Sequence, residues 1–227
     1  MEWWLLFLFN DVGAKVMRLK EKIDIVREEL HRLYVSPPIP LEHKDVYTLL
    51  IAVLLSAQCT DKRVNLVTPH LFALADTPEL MAKQEVSVVQ EIIRPCGLSE
   101  RKATSIVELS KILIEKYHGE VPNSFDALES LPGVGHKTAS VIMVQAFGVP
   151  AFPVDTHIFR LARLWGLSKG KTVERVECDL KNNFAEAEWG YVHLAMVLYG
   201  REFCPAKWCG GACPICQRLG IKNKLNP

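Results

Sequence analysis

Leu131-Pro132-Gly133-Val134-Gly135-His136-Lys137-Thr138-Ala139 joins a glycine turn to a lysine at the start of a helix. Pro132 presets the turn, while Gly133 and Gly135 carry no side chain to block a close approach and can take positive φ. The run Lys137-Thr138-Ala139-Ser140-Val141-Ile142-Met143-Val144 then reads as a helix with one buried face. Free N–H groups at such a helix start can hold a phosphate. An αα corner packed for its own sake gives the same local pattern, so the turn alone does not fix a function. Eighteen residues beyond Lys137 stands Asp155, in Val154-Asp155-Thr156-His157. Taken singly, Lys137 also suits phosphate binding or plain solvation, and Asp155 suits a helix N-cap.

Outward from this stretch the dominant period is helical. Val16, Leu19, Ile23, Val26, Leu30 and Leu33 alternate spacings of three and four, which predicts one apolar stripe on a helix of about five turns. Ser36-Pro37-Pro38-Ile39-Pro40 stops that helix and marks a boundary. Val46 to Cys59 is apolar nearly all round and predicts a central, buried helix. Ser99 is expected to cap a run to Tyr117 that Gly119 and Pro122 end, and Asn123 to cap a short helix before the Pro-Gly turn. Pro150 and Pro153, after Gly148, predict a second crossing between lobes. Thr172 is expected to cap the next helix, and Trp189 to Tyr199 to form the last one before Gly200. Alternating strand runs, hairpin turns and internal repeats are missing from the sequence, so the expected fold is all-α with two lobes.

At 227 residues and 49% hydrophobic, the chain can bury a substantial core and is not a disordered sequence. A formal net charge of +1 means that any nucleic-acid surface must be local. One local excess occurs from Tyr199 to Pro227, where Arg201, Lys207, Arg218, Lys222 and Lys224 face a single acid, Glu202. A solvated basic tail would look the same. Trp3-Trp4-Leu5-Leu6-Phe7-Leu8-Phe9 is apolar but far shorter than the roughly 20 residues of a spanning helix. With neither a basic n-region nor a small-residue cleavage site, residues 1–15 read as an apolar extension and the protein as cytoplasmic, without a membrane partner. In that compartment seven cysteines point to metal ligands or core thiols before disulfides.

Four of the cysteines, Cys204, Cys209, Cys213 and Cys216, follow C-x4-C-x3-C-x2-C, four soft ligands within 13 residues. That density suits a [4Fe-4S] cluster, since each iron takes one thiolate. Zinc is the competing metal, although a zinc ribbon usually offers two C-x2-C pairs on hairpins and only one such pair is present here. Cys59, Cys96 and Cys178 are expected to be buried, inert thiols.

Together these residues resemble the endonuclease III family of helix-hairpin-helix DNA glycosylases over about nine-tenths of the chain. The motifs that carry the resemblance are Leu54-Leu55-Ser56-Ala57-Gln58-Cys59-Thr60-Asp61, the Leu131 to Ala139 turn, Val154-Asp155-Thr156-His157-Ile158-Phe159-Arg160 and Gly200-Arg201-Glu202-Phe203-Cys204. The resemblance implies a six-helix barrel with a helix-hairpin-helix over residues 39–149, and a helical iron-sulfur lobe built from residues 150–227 and the N-terminal helix 16–38. Duplex DNA carrying a damaged base or abasic site would lie in the cleft between them, bound by a monomer. Lys137 matches the catalytic lysine and Asp155 the catalytic aspartate. Gln58 and Leu98 match positions that enter the duplex, and Leu131, Gly133, Val134, Gly135 and His136 the DNA-binding hairpin. A cytoplasmic, nucleoid-associated bacterial or archaeal protein is implied. One departure stands out: the family's usual cysteine pattern is C-x6-C-x2-C-x5-C, and only Cys204 keeps its place relative to the Gly-Arg motif.

The chemistry follows from the residue types. Removing a base means attack at the sugar C1′ while positive charge develops on the ring, so the site needs a nucleophile and a carboxylate. An amine nucleophile leaves a Schiff base, which acidifies the C2′ proton and permits β-elimination of the 3′ phosphate. With a reference pKa of about 10.4, only about one lysine in a thousand is neutral near pH 7.4. The helix start and partial desolvation would lower that value and Asp155 would raise it, and the sequence leaves the balance open. The aspartate can stabilise the oxocarbenium-like sugar or move protons. His136 can assist phosphate binding, His157 reads as structural, and neither is needed as a metal ligand. The expected activity is therefore a bifunctional glycosylase and abasic-site lyase for oxidised pyrimidines. An adenine-specific mismatch glycosylase is the alternative within the family, though that group generally lacks a lysine at position 137. A non-catalytic helix-hairpin-helix DNA-binding module and a zinc-stabilised scaffold are the alternatives outside it.

Overall fold

The structure, a computed structural model, describes residues 17–207 and 209–221. The apolar segment 1–15, Val16 of the first stripe, and Lys222 and Lys224 of the basic tail lie outside the described residues. Every regular element among the described residues is a helix.

Helix α1 (Leu19–Leu33) turns Ile23, Val26 and Leu30 inward. It spans 15 residues, about four turns and not five, because Arg18 sits in the cap position with extended backbone. The Arg18 N–H donates to Glu21 Oε2 at 2.9 Å there. Helix α2 (Val46–Leu55) is buried at every position but the first. Asp45 starts it by accepting the Thr48 N–H at 2.8 Å. It stops at Leu55, short of the expected Cys59, because the chain tightens at Ser56 and Ala57 and Gln58 takes a φ of 55°.

Around α2 fold α3 (Asp61–Leu74), the single-turn α4 (Pro78–Met81), α5 (Val86–Ile93), α6 (Ser99–Tyr117), α7 (Phe125–Glu129) and α8 (His136–Phe147). Their inward side chains form one continuous core with α2, running from Leu41 to Met143. Tyr47 and Ser110 share a buried hydroxyl hydrogen bond of 2.8 Å across that core. Two expected caps shift by one residue. Ser124, not Asn123, caps α7 by accepting the Ala127 N–H at 3.3 Å. Leu98, not Ser99, holds the cap position of α6, because Gly97 (φ 68°) and Leu98 (φ 50°) turn the chain so that Ser99 is already helical.

A second core joins α1 to α9 (Thr156–Leu164), α10 (Val173–Asn183), α11 (Trp189–Glu202) and α12 (Pro214–Arg218). Thr172 caps α10 as expected, accepting the Arg175 N–H at 3.3 Å. Helix α11 passes through Gly200 to Glu202 and is not the last helix. Gly200 does not stop it, because it is a packing site: a Cβ there would lie 3.0 Å from the Cβ and Nδ1 of His157. The first and last described helices meet in this core, since α1 packs on both α11 and α12. Arg218 of α12 donates to Glu29 Oε1 at 2.9 Å and Glu28 Oε2 at 2.6 Å. Burial alone would raise the Glu29 pKa, but hydrogen bonds from Arg32 and Arg218 outweigh it and hold the carboxyl below the usual range. No helix among the described residues is long and apolar enough to cross a membrane.

Candidate active site

The hairpin between α7 and α8 sets the position of Lys137. Gly133 takes φ 78°, and its Cα packs so tightly that a Cβ would lie 2.9 Å from that of Ser105. Gly135 differs from expectation: it is extended, at φ −99°, and forms the N-cap of α8. The first N–H groups of α8 have no partner within their own helix and are free to bind an anion. Leu131 and Val134 are only 2% and 6% exposed, so their side chains belong to the barrel core and only their main chain can meet a ligand. His136 is exposed, but its ring is partnered. Its Nδ1 lies 2.8 Å from Glu129 Oε1 and its Nε2 lies 3.3 Å from Glu177 Oε2, which clamps the hairpin to α10.

Lys137 is exposed in the first turn of α8. Asp155 is the N-cap of α9, its Oδ1 accepting the Ile158 N–H at 2.8 Å. Both residues line a cavity of about 920 Å³ whose walls come from both cores, with Gln58, His157, Phe159 and Arg201. Arg201 Nη1 donates to Asp61 Oδ2 at 2.6 Å and so joins α11 to α3 across that cavity.

Beneath this wall His193 is buried, beside Lys137, Asp155 and Arg201. Its Nδ1 lies 2.9 Å from Pro153 O, and since a carbonyl can only accept, Nδ1 carries the proton. Burial pushes the His193 pKa down to about 4, against the pull of the Asp155 charge and with help from Lys137. A lone histidine in an apolar helix reads as a core residue, so its place beside Asp155 has no local signature.

Gln58 and Leu98 both sit at exposed loop tips with left-handed backbone, at φ 55° and 50°. Leu98 leaves 48% of its surface in solvent. Non-glycine residues rarely adopt this backbone, and such strain collects at functional loops. The three other cysteines fall apart as a class: Cys96 is buried, Cys59 is half-buried and Cys178 is exposed on α10, so only the first meets the expectation.

The C-terminal cysteines come together, the sulfurs of Cys204, Cys209, Cys213 and Cys216 all lying within 4.8 Å of one another. Cys204, Cys213 and Cys216 are buried. Hydrogen bonds from Cys204 and Cys216 drive the Cys213 thiol well below its usual pKa, while its neighbours Cys204 and Cys216 are driven up. Four sulfurs this close cannot all be thiolates without a cation between them, and an all-sulfur donor set is the chemistry of an iron-sulfur or zinc centre. Arg160 of α9 adds a grip from outside, donating to Cys204 O at 2.6 Å and approaching Cys204 Sγ at 3.7 Å. Helix α9 thus carries Asp155 at its head and holds the cysteine loop one turn later.

Residues 51–186 match the family model described as HhH-GPD superfamily base excision DNA repair protein. The chain is 44% identical to endonuclease III of Escherichia coli K12 over 205 residues, which cover 88% of this chain and 96% of that one. Endonuclease III of Rickettsia conorii is also 44% identical, over 80% of this chain and 85% of its own. Among solved structures, a non-covalent endonuclease III–DNA complex superposes with a TM-score of 0.85 at 39% identity, covering 88% of this chain and 95% of that one. A trapped endonuclease III–DNA covalent intermediate superposes at 0.84 with the same identity, over 88% and 94% of the two chains. The helical fold, the hairpin and the extent of these matches place the chain in the endonuclease III family of the HhH-GPD superfamily.

Proposed function

We propose that the protein is a bifunctional DNA glycosylase and abasic-site lyase of base excision repair, acting on oxidised pyrimidines in duplex DNA. The observation that carries this reading is the shared cavity of Lys137 and Asp155 in a chain of this family. Lys137 Nζ, as the free amine, attacks C1′ of an extruded nucleotide as the damaged base departs. The Asp155 carboxylate, held by its own cap, stabilises positive charge on the sugar and accepts protons from the amine. Ring opening gives the Schiff base, loss of the C2′ proton expels the 3′ phosphate, and one lysine thereby excises and nicks. The main-chain N–H groups around Gly133, Gly135 and His136 hold a flanking phosphate. Gln58 and Leu98 occupy the vacated stack.

Cys204, Cys209, Cys213 and Cys216 would hold a [4Fe-4S] cluster, whose contribution is to fix the loop that follows α11. In this reading residues 39–149 form the barrel lobe, and residues 150–227 with helix 16–38 form the cluster lobe. The protein works in the cytoplasm of a bacterium or archaeon, at the nucleoid.

Borohydride trapping tests the chemistry. A duplex with one oxidised pyrimidine should give a covalent protein–DNA band with the wild type and none with Lys137→Ala. Lys137→Ala should still bind the same duplex within a few-fold. Absence of a band with both this duplex and an abasic one would overturn the lyase reading. Iron and acid-labile sulfide in the purified protein, with broad visible absorption, distinguish the cluster from zinc.

A further inference from the structure

Lys102 of α6 is 5% exposed, an ammonium inside the barrel core. Its three N–H donors all find main-chain oxygens: Leu55 O at 2.9 Å, Ala57 O at 2.8 Å and Cys96 O at 3.0 Å. Leu55 is the last residue of α2, so its acceptor is a carbonyl left over at the negative end of that helix, and Ala57 O lies in the turn that follows. The third closes the short turn that precedes Gly97 and Leu98. One nitrogen therefore binds the backbone immediately before Gln58 to the backbone just before Leu98.

Both residues that follow are exposed and left-handed, at φ 55° and 50°. The other described non-glycine residue in this region of φ, His118, merely ends α6. Strained tips of this kind persist only where their surroundings over-determine them. Packing alone needs no charge at this position, since methionine has similar length and would fill the slot without a buried cation. What the ammonium adds is a three-point tie between the Leu55–Ala57 segment and the turn at Cys96, about 40 residues further along the sequence.

We propose that Lys102 is a positioning residue that fixes the spacing of the Gln58 and Leu98 tips, so that both enter the duplex together when a nucleotide leaves the stack. This rests on the reading of the protein as an enzyme of damaged duplex DNA. The test compares two substrates under single turnover at a temperature where every variant is folded. Lys102→Met should slow excision from a paired duplex by at least about tenfold. Its cleavage of an abasic site in single-stranded DNA, where no stack has to be filled, should stay within about threefold of wild type. Lys102→Gln, which keeps two donors, should fall between wild type and Lys102→Met on the duplex and carries the comparison if Lys102→Met does not fold. Equal losses on both substrates, or no loss on the duplex, overturn the proposal. Gln58→Ala and Leu98→Ala run alongside: if neither slows duplex excision, the tips do not act there and the proposal falls. Wild-type protein that cleaves neither DNA overturns the enzymatic reading itself.

Discussion

The Asp155 side chain caps α9 through Ile158 at 2.8 Å and also faces the cavity that holds Lys137, and the two roles can be separated by mutation. Asparagine caps a helix about as well as aspartate, so Asp155→Asn should melt within about 2 °C of wild type while strand nicking falls by about 10²- to 10⁴-fold. Asp155→Ala loses the cap as well, which costs about 1 kcal/mol in urea unfolding. Full activity of Asp155→Asn would show that the charge does no chemistry. His193 supplies a pH dependence of the fold. Its pKa is about 4 in the folded protein against 6.5 as the ordinary value, so between these limits the unfolded chain binds more protons. Its contribution is complete above about pH 6.5 and is lost as pH falls toward 4, an effect on the order of 3 kcal/mol. Urea midpoints from pH 7.5 to 4.5 should decline accordingly, and His193→Gln should flatten that decline. The sequence made Lys137 and Asp155 legible because each belongs to a short motif with a local cause. It hid Lys102 and His193, because a lysine on a mixed helix reads as solvated and a histidine in an apolar helix as core. Their partners lie in distant parts of the chain.

At the level of elements, the hairpin before α8 rests on two glycines with different duties. Gly133→Ala forces a side chain onto φ 78° and brings its Cβ to 2.9 Å from Ser105 Cβ and 3.1 Å from Leu54 Cδ1. It should destabilise the protein by about 1–3 kcal/mol, read as a lower denaturation midpoint. At Gly135 nothing lies within 4 Å of a new Cβ and φ is −99°, so the fold should lose about 1 kcal/mol or less, the difference between glycine and alanine at an N-cap. Duplex binding should suffer more than stability there, because the methyl stands where a phosphate would approach the helix start. Equal stability losses for the two variants would refute this division. Periodicity and caps made α1, α2, α6, α7, α8, α10 and α11 readable, whereas α3, α4, α5 and α12 drew no reading from the sequence and helix ends were not fixed by it. Asn123 and Ser124 are both good caps, and the choice fell to the residue whose hydroxyl reaches Ala127. Gly200 looked like a stop but serves close contact with His157, a fact set by tertiary packing and not by local propensity.

For the whole molecule, the two cores differ in what holds them. The barrel core contains none of the four clustered cysteines, while Cys204, Cys213 and Cys216 are part of the second core and Cys209 packs against it. Helix α12 begins directly after Cys213, its Ile215 N–H is held by the buried Tyr199 hydroxyl at 2.9 Å, and its Arg218 ties it to α1. A metal centre on these thiols would therefore fasten the first and last described helices and, through Arg160, the helix that bears Asp155. Binding free energy at such a site is folding free energy, and its loss leaves close-packed sulfurs competing for protons. Stripping the metal should weaken the second core by several kcal/mol and leave the barrel standing. The described tryptophans, Trp165 and Trp189, both lie in the second core, so in a variant with Trp3, Trp4 and Trp208 replaced by phenylalanine the fluorescence reports on that core selectively. In the loaded protein the fluorescence and far-ultraviolet dichroism transitions should coincide. In the metal-free protein the fluorescence transition should move to lower temperature, ahead of the main loss of helix, and nicking should disappear with it because Asp155 loses its place while Lys137 keeps its own. Coincident transitions in both forms would mean that the two cores unfold as one unit whatever the cysteines hold.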